Sequence, residues 1–155
     1  MADLSSKVAV VTGGSRGVGK GICEGLAEAG ATIYLTGRSQ SFDDLPAERT
    51  IQATARLVEE LGGKAIPVAV DHDDDDQVRA LFDRVASEQG RLDVLVNNVY
   101  KIPHPPAWGG GFWEHPISVW DDQCGVGLRG YYVASVLGAP LMVANRSGLI
   151  VNISS

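Results

Sequence analysis

Two hydrophobic periods alternate along this chain, and that alternation narrows the fold more than any other feature. "KVAVVTG", "ATIYLTG", "KAIPVAVD", "RLDVLVNN" and "GLIVNISS" are short β-branched runs without polar alternation, the pattern of strands covered on both faces. Helical spacing fills the gaps between them. Ile22, Leu26 and Ala29 recur before Gly30, a C-cap candidate, and Ile51, Ala55, Val58 and Leu61 form a stripe before Gly62 and Gly63. Val78, Leu81, Phe82 and Val85 form a third stripe that ends at Gly90, and Pro46 suits a first helical turn. Residues 99 to 117 read as a long loop rich in Gly, Pro and Trp. Ser118 and Asp121 then read as a capping pair for a helix of about 20 residues. The order βαβαβαβαβ with short connections predicts a doubly wound α/β fold, a parallel sheet of five strands with right-handed crossovers on both faces. At 155 residues the chain is long enough for one such domain, residues 1–155, and too short for two.

Composition removes several classes of function. A formal charge of −6 argues against a protein that holds nucleic acid by neutralising phosphates. Cys23 and Cys124 are far apart with no CxxC spacing, which suits reduced thiols in a cytoplasmic protein. The N-terminus "MADLSSKVAVV" has no basic stretch before an apolar one, and no apolar run reaches the roughly 18 residues of a membrane span. A soluble, cytoplasmic protein without a membrane partner is expected. His72, His104 and His115 lack ligand spacing and read as loop residues. The acids of "DDDD", Asp73 to Asp76, suit the positive end of a helix, so no metal is expected.

The turn "VVTGGSRGVGKG" lies where the first strand becomes the first helix. Gly13, Gly17 and Gly19 have the spacing G-x-x-x-G-x-G, which departs from the G-x-G-x-x-G fingerprint but can serve the same ends. The chain must turn tightly off the strand, approach a pyrophosphate with its backbone, and pack the helix against the sheet. The helix N-terminus then offers free N–H groups and a positive dipole end to the anion. Placed at the start of a βαβ series, this turn makes the fold a Rossmann-type dinucleotide binder, with Gly13, Ser15, Arg16, Gly17, Val18 and Gly19 as its candidate contacts.

Several motifs carry a resemblance. "TGGSRGVG" is similar to the TGxxxGxG turn of the short-chain dehydrogenase/reductase family, "VNN" resembles its NNAG element, and "GLIVNISS" resembles the strand that carries its catalytic serine. Within the family, "NNVY", "FWEHP" and "WDDQCGVGLRGYY" resemble a subfamily called dehydrogenase/reductase member 1. The likeness runs from residue 6 to the last residue. It implies an oxidoreductase that interconverts a carbonyl and an alcohol on a small molecule, with a nicotinamide cofactor and a homo-oligomeric full-length form.

The choice of cofactor is a matter of charge. An acid at the tip of the second strand would accept from a ribose 2′-OH and repel a 2′-phosphate. In "YLTGRS" that tip is Gly37, followed by Arg38, and Arg16 can approach from the glycine turn. Two guanidiniums without a carboxylate favour NADP(H) over NAD(H). By the resemblance, Asp71 contacts the adenine and His72 offers its backbone there. Asn97 ties strands together and Asn98 faces the cofactor ribose. Val99 and Tyr100 replace the usual Ala-Gly and make that wall bulkier. Trp108, Phe112 and Trp113 either line an apolar substrate cleft or pack the loop.

Ser155 matches the family's catalytic serine, with Ser154 as fallback. The Tyr-x-x-x-Lys pair that accompanies it in the family occurs nowhere in these residues, and Tyr131 and Tyr132 have no lysine four positions on. Gly127 stands where the family often has an asparagine. The chain therefore reads as the cofactor half of a longer reductase, with five strands of a longer fold, and as inactive by itself. The alternative is a non-catalytic nucleotide-binding or interaction module.

Overall fold

The computed structural model describes residues 3–38, 49–103 and 109–154. Pro46 lies outside them. Five parallel strands form one sheet in the order β3-β2-β1-β4-β5, where β1 is Val8–Val11, β2 Thr32–Gly37, β3 Lys64–Ala69, β4 Val94–Asn97 and β5 Leu149–Asn152. Each expected strand is present. The order reverses at β1, because the chain moves outward to β2 and β3 and then returns to β4 on the other side. A crevice must open at the carboxyl ends of β1 and β4, where consecutive loops leave in opposite directions.

Strand alternation divides the interior into two cores. Val8 and Val10 of β1, Tyr34 of β2 and Leu95 of β4 face one side, against Val78, Leu81, Phe82 and Val85 of α3 (Asp75–Gln89). Val11, Ile33, Leu35 and Val96 face the other, against Cys23 and Ala27 of α1 (Gly17–Glu28) and Ile51, Ala55 and Val58 of α2 (Ile51–Glu60). Each fully buried Val, Leu or Ile contributes about 1.5–3 kcal/mol of transfer free energy, so these two faces supply the main driving force for the sheet. The stripes on α2 and α3 match the sequence pattern. On α1 the buried line runs through Cys23 and Ala27, with Ile22 and Leu26 half-buried beside it. Gly30 has φ +85° and follows the cap residue Ala29, and Gly90 ends α3 at φ +66°. Asp74 caps α3 by accepting from the N–H groups of Asp76 and Gln77. The acidic run is thus a helix start.

The segment before β5 differs from expectation. Helix α4 (Ser118–Gln123), a π-helical turn (Cys124–Arg129) and α5 (Gly130–Ala144) run on as one rod of 27 residues. Ser118 and Asp121 do not form a capping pair. The rod is entered through Ile117, already helical in its backbone, with the N–H groups of Val119 and Trp120 bonded to the Pro116 and Ile117 carbonyls and no side chain as cap. By length and composition alone this rod could cross a membrane, which corrects the expectation that no segment reaches that length. Its small residues Ala134 and Gly138, with Met142, face the sheet, and a Cβ at Gly138 would come within 2.9 Å of the Phe82 ring. Close approach of α5 to α3 depends on that missing side chain.

Candidate dinucleotide-binding cleft

A cleft of about 490 Å³ lies at the carboxyl ends of β1, β2 and β4, where the strand order reverses. The glycine turn forms its floor. Gly13 has φ +71°, and a Cβ there would sit 2.9 Å from the Val99 Cα. The β4 exit thus presses backbone against backbone, and only glycine fits. Gly17, at φ +56°, opens α1. The first-turn N–H groups of α1 have no acceptor within the helix and point the positive end of its dipole at the cleft.

Two threonines and an asparagine hold the turn. The Thr12 hydroxyl donates to the Val96 carbonyl at 3.3 Å and accepts from the N–H groups of Asn98 and Val99 at 2.9 and 3.1 Å. The Asn98 amide donates to the Thr12 and Gly13 carbonyls at 2.9 and 3.0 Å. From β2, the Thr36 hydroxyl accepts from the Gly13 N–H at 3.4 Å, and the Thr36 carbonyl accepts from the Gly14 N–H at 2.8 Å. Three strands therefore fix one turn. Sequence reasoning missed Thr12 and Thr36. Their position at strand ends beside the glycines is the only signal that could have marked them.

The wall at β2 carries positive charge. Arg16 and Arg38 are exposed and line the cleft, and no ion pair ties either of them to a carboxylate among the described residues. Gly37 lies between them, where a Cβ would come within 2.9 Å of the Ile51 Cγ2. Any side chain at this strand tip would require Ile51 to shift. Beyond it, Asp71 and His72 complete the wall after β3. His72 lies in the turn after β3, the loop position expected of it, but it is only 3% exposed: its ring is buried and bonded to Thr36. Burial pushes its pKa down to about 4, against a smaller opposing effect of Asp71, and the imidazole is neutral.

Ion pairs brace the opposite rim. Lys101 bonds Asp73 at 3.2 Å and Asp122 at 2.9 Å, and Arg129 makes a two-pronged contact with Asp75 at 2.6 and 2.7 Å. These pairs tie the β4 exit and the π-helical turn to the loop after β3. All five side chains are partly or largely exposed, so their worth is geometric more than energetic.

Most candidate contacts converge. Gly13, Ser15, Arg16, Gly17, Val18, Arg38, Asp71, His72 and Asn98 all line the cleft. Gly19 does not. It is buried under the turn, where a Cβ would collide with the Gly13 carbonyl and the Asn98 amide, so it serves helix packing and not ligand contact. Val99 and Tyr100 form the bulkier wall expected of them. Phe112 and Trp113, 84% and 76% exposed, pack edge-to-face on one another away from this cleft, and Trp108 lies outside the described residues. Asn97 is buried and its amide reaches Asn152 on β5 and the Tyr131 carbonyl and Ser135 hydroxyl on α5, a tie between strands and helix. The Tyr131 hydroxyl donates to the Ile153 carbonyl at 3.1 Å and braces the segment that leads to the serines. Ser155 itself lies outside the described residues, and Ser154 is exposed.

A family model described as short chain dehydrogenase matches residues 7–155. Dehydrogenase/reductase SDR family member 1 from Mus musculus is 47% identical over 100% of this chain and 48% of its own length, and the Homo sapiens protein of that name is 47% identical over 99% and 48%. The chain thus spans about half the length of the curated relatives it matches. Among solved structures, a metagenomic short-chain oxidoreductase in complex with NADP superposes with a TM-score of 0.81 at 36% identity, covering 98% of this chain and 63% of that one. A short chain dehydrogenase from Mycobacterium thermoresistibile gives 0.80 at 32% identity, covering 94% and 50%. Strand order, the glycine turn with its threonine and asparagine locks, and the family match agree: the chain belongs to the short-chain dehydrogenase/reductase family of oxidoreductases.

Proposed function

We propose that this chain is the cofactor half of an NADP(H)-dependent oxidoreductase that interconverts a carbonyl and an alcohol on a small molecule. The observation that carries the cofactor choice is the β2 tip, where Gly37 carries no carboxylate and Arg16 and Arg38 stand without an ion pair beside it among the described residues. A dianionic 2′-phosphate fits two guanidiniums, while a ribose 2′-OH would find no carboxylate there. The neighbouring structure in complex with NADP supports the same reading. The bound nicotinamide supplies the hydride chemistry. This chain's residues hold and aim it: the α1 N-terminus faces the pyrophosphate, Arg16 and Arg38 take the 2′-phosphate, and Asp71 takes the adenine side.

Ser155, which lies outside the described residues, is the hydroxyl assigned to hold the substrate oxygen. A serine is a poor proton donor at neutral pH, and a positioned general acid contributes about 10²–10⁴-fold. With no Tyr-x-x-x-Lys among these residues, the 155-residue chain by itself is expected to bind cofactor without turnover. The competing reading is a non-catalytic nucleotide-binding or interaction module. A soluble, cytoplasmic, homo-oligomeric full-length protein remains part of the proposal.

Replacing Arg38 with alanine tests the assignment. It is expected to weaken NADPH by about 1–3 kcal/mol, the worth of a charge-assisted hydrogen bond, and to leave NADH unchanged. Equal weakening of both cofactors would move the 2′-phosphate away from Arg38.

A further inference from the structure

Resting on the dinucleotide reading of the cleft, a buried bridge gives a new role to a side chain. His72 stands in the turn after β3, and its Nε2 lies 2.8 Å from the Thr36 Oγ1 on β2. Thr36 is fully buried, and it is the residue on which the amides of Gly13 and Gly14 hang, the first through its hydroxyl and the second through its carbonyl. The His72 Nδ1 is buried without a hydrogen-bond partner among the described residues. Such a group needs an account, because unpaired buried polar atoms are rare. The ring is therefore kept in place for its Nε2 contact.

The proton positions follow from the neighbours. The Thr36 oxygen accepts from the Gly13 N–H, so its own proton is free to go to the imidazole. A neutral ring with its proton on Nδ1 accepts that hydrogen bond at Nε2, and both functions of the hydroxyl are used. The opposite tautomer would leave the threonine proton without this acceptor. We infer that His72 is a positioning residue for dinucleotide binding: through the Thr36 hydroxyl its imidazole sets the conformation of the glycine turn. The wall after β3 and the floor after β1 are then joined by one chain of hydrogen bonds, His72 to Thr36 to Gly13.

The test uses the 155-residue chain, NADPH titrated by nicotinamide fluorescence, and the variants H72A, H72Q, T36V and H72A/T36V. Glutamine can place an acceptor where the imidazole Nε2 sits. H72A and T36V are each expected to weaken NADPH by about tenfold, H72Q to stay within about threefold of the parent, and the double variant to be no weaker than the worse single one. The amide NMR signals of Gly13 and Gly14 should shift in H72A and T36V and return toward parent positions in H72Q. A role confined to stability would lower the unfolding midpoint yet leave the affinity of folded H72A and the two glycine signals unchanged, and that result overturns the inference. So do effects of H72A and T36V that multiply in the double variant. If H72A fails to fold, H72Q and T36V decide, since H72Q must keep both the affinity and the glycine signals that T36V loses. Absence of NADPH binding by the parent chain would overturn the dinucleotide reading and this inference together. Binding by the parent with unaltered variants overturns the inference alone.

Discussion

Gly13 and Gly17 both have positive φ, yet they differ in what surrounds them. A side chain at Gly13 meets the Val99 backbone at 2.9 Å, whereas one at Gly17 meets nothing within 4 Å. Gly13→Val is expected to abolish NADPH binding and also to destabilise the fold, by more than the roughly 1–2 kcal/mol that a left-handed conformation alone costs. Gly17→Ala should cost only that roughly 1–2 kcal/mol and remain folded. Thermal unfolding of the two variants, with a cofactor titration, separates them. His72 gives a prediction in pH. Its folded pKa, about 4, lies below the ordinary value of 6.5 because burial penalises the cation. Between those values the unfolded chain binds more protons, so stability is full above pH 6.5 and falls as the solution is acidified through that window, by up to about 3 kcal/mol. H72Q should flatten that part of a stability-versus-pH curve, and an unchanged slope would mean that His72 titrates normally. At this scale the glycines were legible in the sequence because their residue type announces a conformation. Thr12, Thr36 and the His72 ring were not, since their partners come from other parts of the fold, 23 positions away in the chain for Thr36 to Gly13, 36 for His72 to Thr36 and 87 for Thr12 to Val99, beyond what local pattern can see.

Among the elements, the strands were placed correctly, because a short β-branched run between helical stripes reads as a strand. The expectation that all five are covered on both faces is corrected: β3 is only half-buried and β5 is largely exposed. The rod from Ser118 to Ala144 was less legible. Its entrance uses backbone bonds from Pro116 and Ile117 in place of a side-chain cap, and Gly125, Gly127 and Gly130 admit a π-helical turn that no hydrophobic period reveals. The amino ends of β1 and β4 are fixed by Asp93. Its carboxylate accepts from the Val8 N–H at 2.9 Å and from Arg91 at 2.6 and 2.9 Å, with Lys7 at 3.3 Å. Burial raises the pKa of Asp93, but the hydrogen bonds from Arg91, Val8 and Lys7 outweigh it and hold the group below its ordinary value. The stabilisation is therefore present above pH 3.8 and lost as pH falls through the lowered folded value. Asp93→Asn should cost about 1–3 kcal/mol at pH 7 in urea unfolding, and the gap from the parent should shrink toward pH 3. A constant gap would show that the charge contributes nothing.

Over the whole molecule, the sheet order brings residues 13, 38, 71 and 98 to one crevice from four separate strand ends. That convergence could be foreseen from the alternation of periods, because a doubly wound sheet reverses direction at its first strand. The aromatic loop could not be placed, since an irregular segment has no period to orient it. The outer face of the rod and β5 leave Trp120, Tyr132, Val143 and Leu149 exposed, in a chain that spans about half the length of its curated relatives. Purified chain supplied with NADPH and a panel of aldehydes, ketones and quinones is expected to show no loss of nicotinamide absorbance beyond the blank. Steady turnover would place the chemistry on residues other than the assigned serine, with Tyr100 in the cleft the first to replace.

The central claim, a cleft built for a 2′-phosphorylated dinucleotide, is tested most directly by titrating the 155-residue chain with NADPH and NADH in parallel and then displacing bound NADPH with 2′,5′-ADP. NADPH is expected to bind tighter by about 1–3 kcal/mol, with 2′,5′-ADP competing and 5′-AMP much less effective. Equal affinity for the two cofactors, or displacement by both nucleotides alike, would contradict the assignment of Arg16 and Arg38 to the 2′-phosphate.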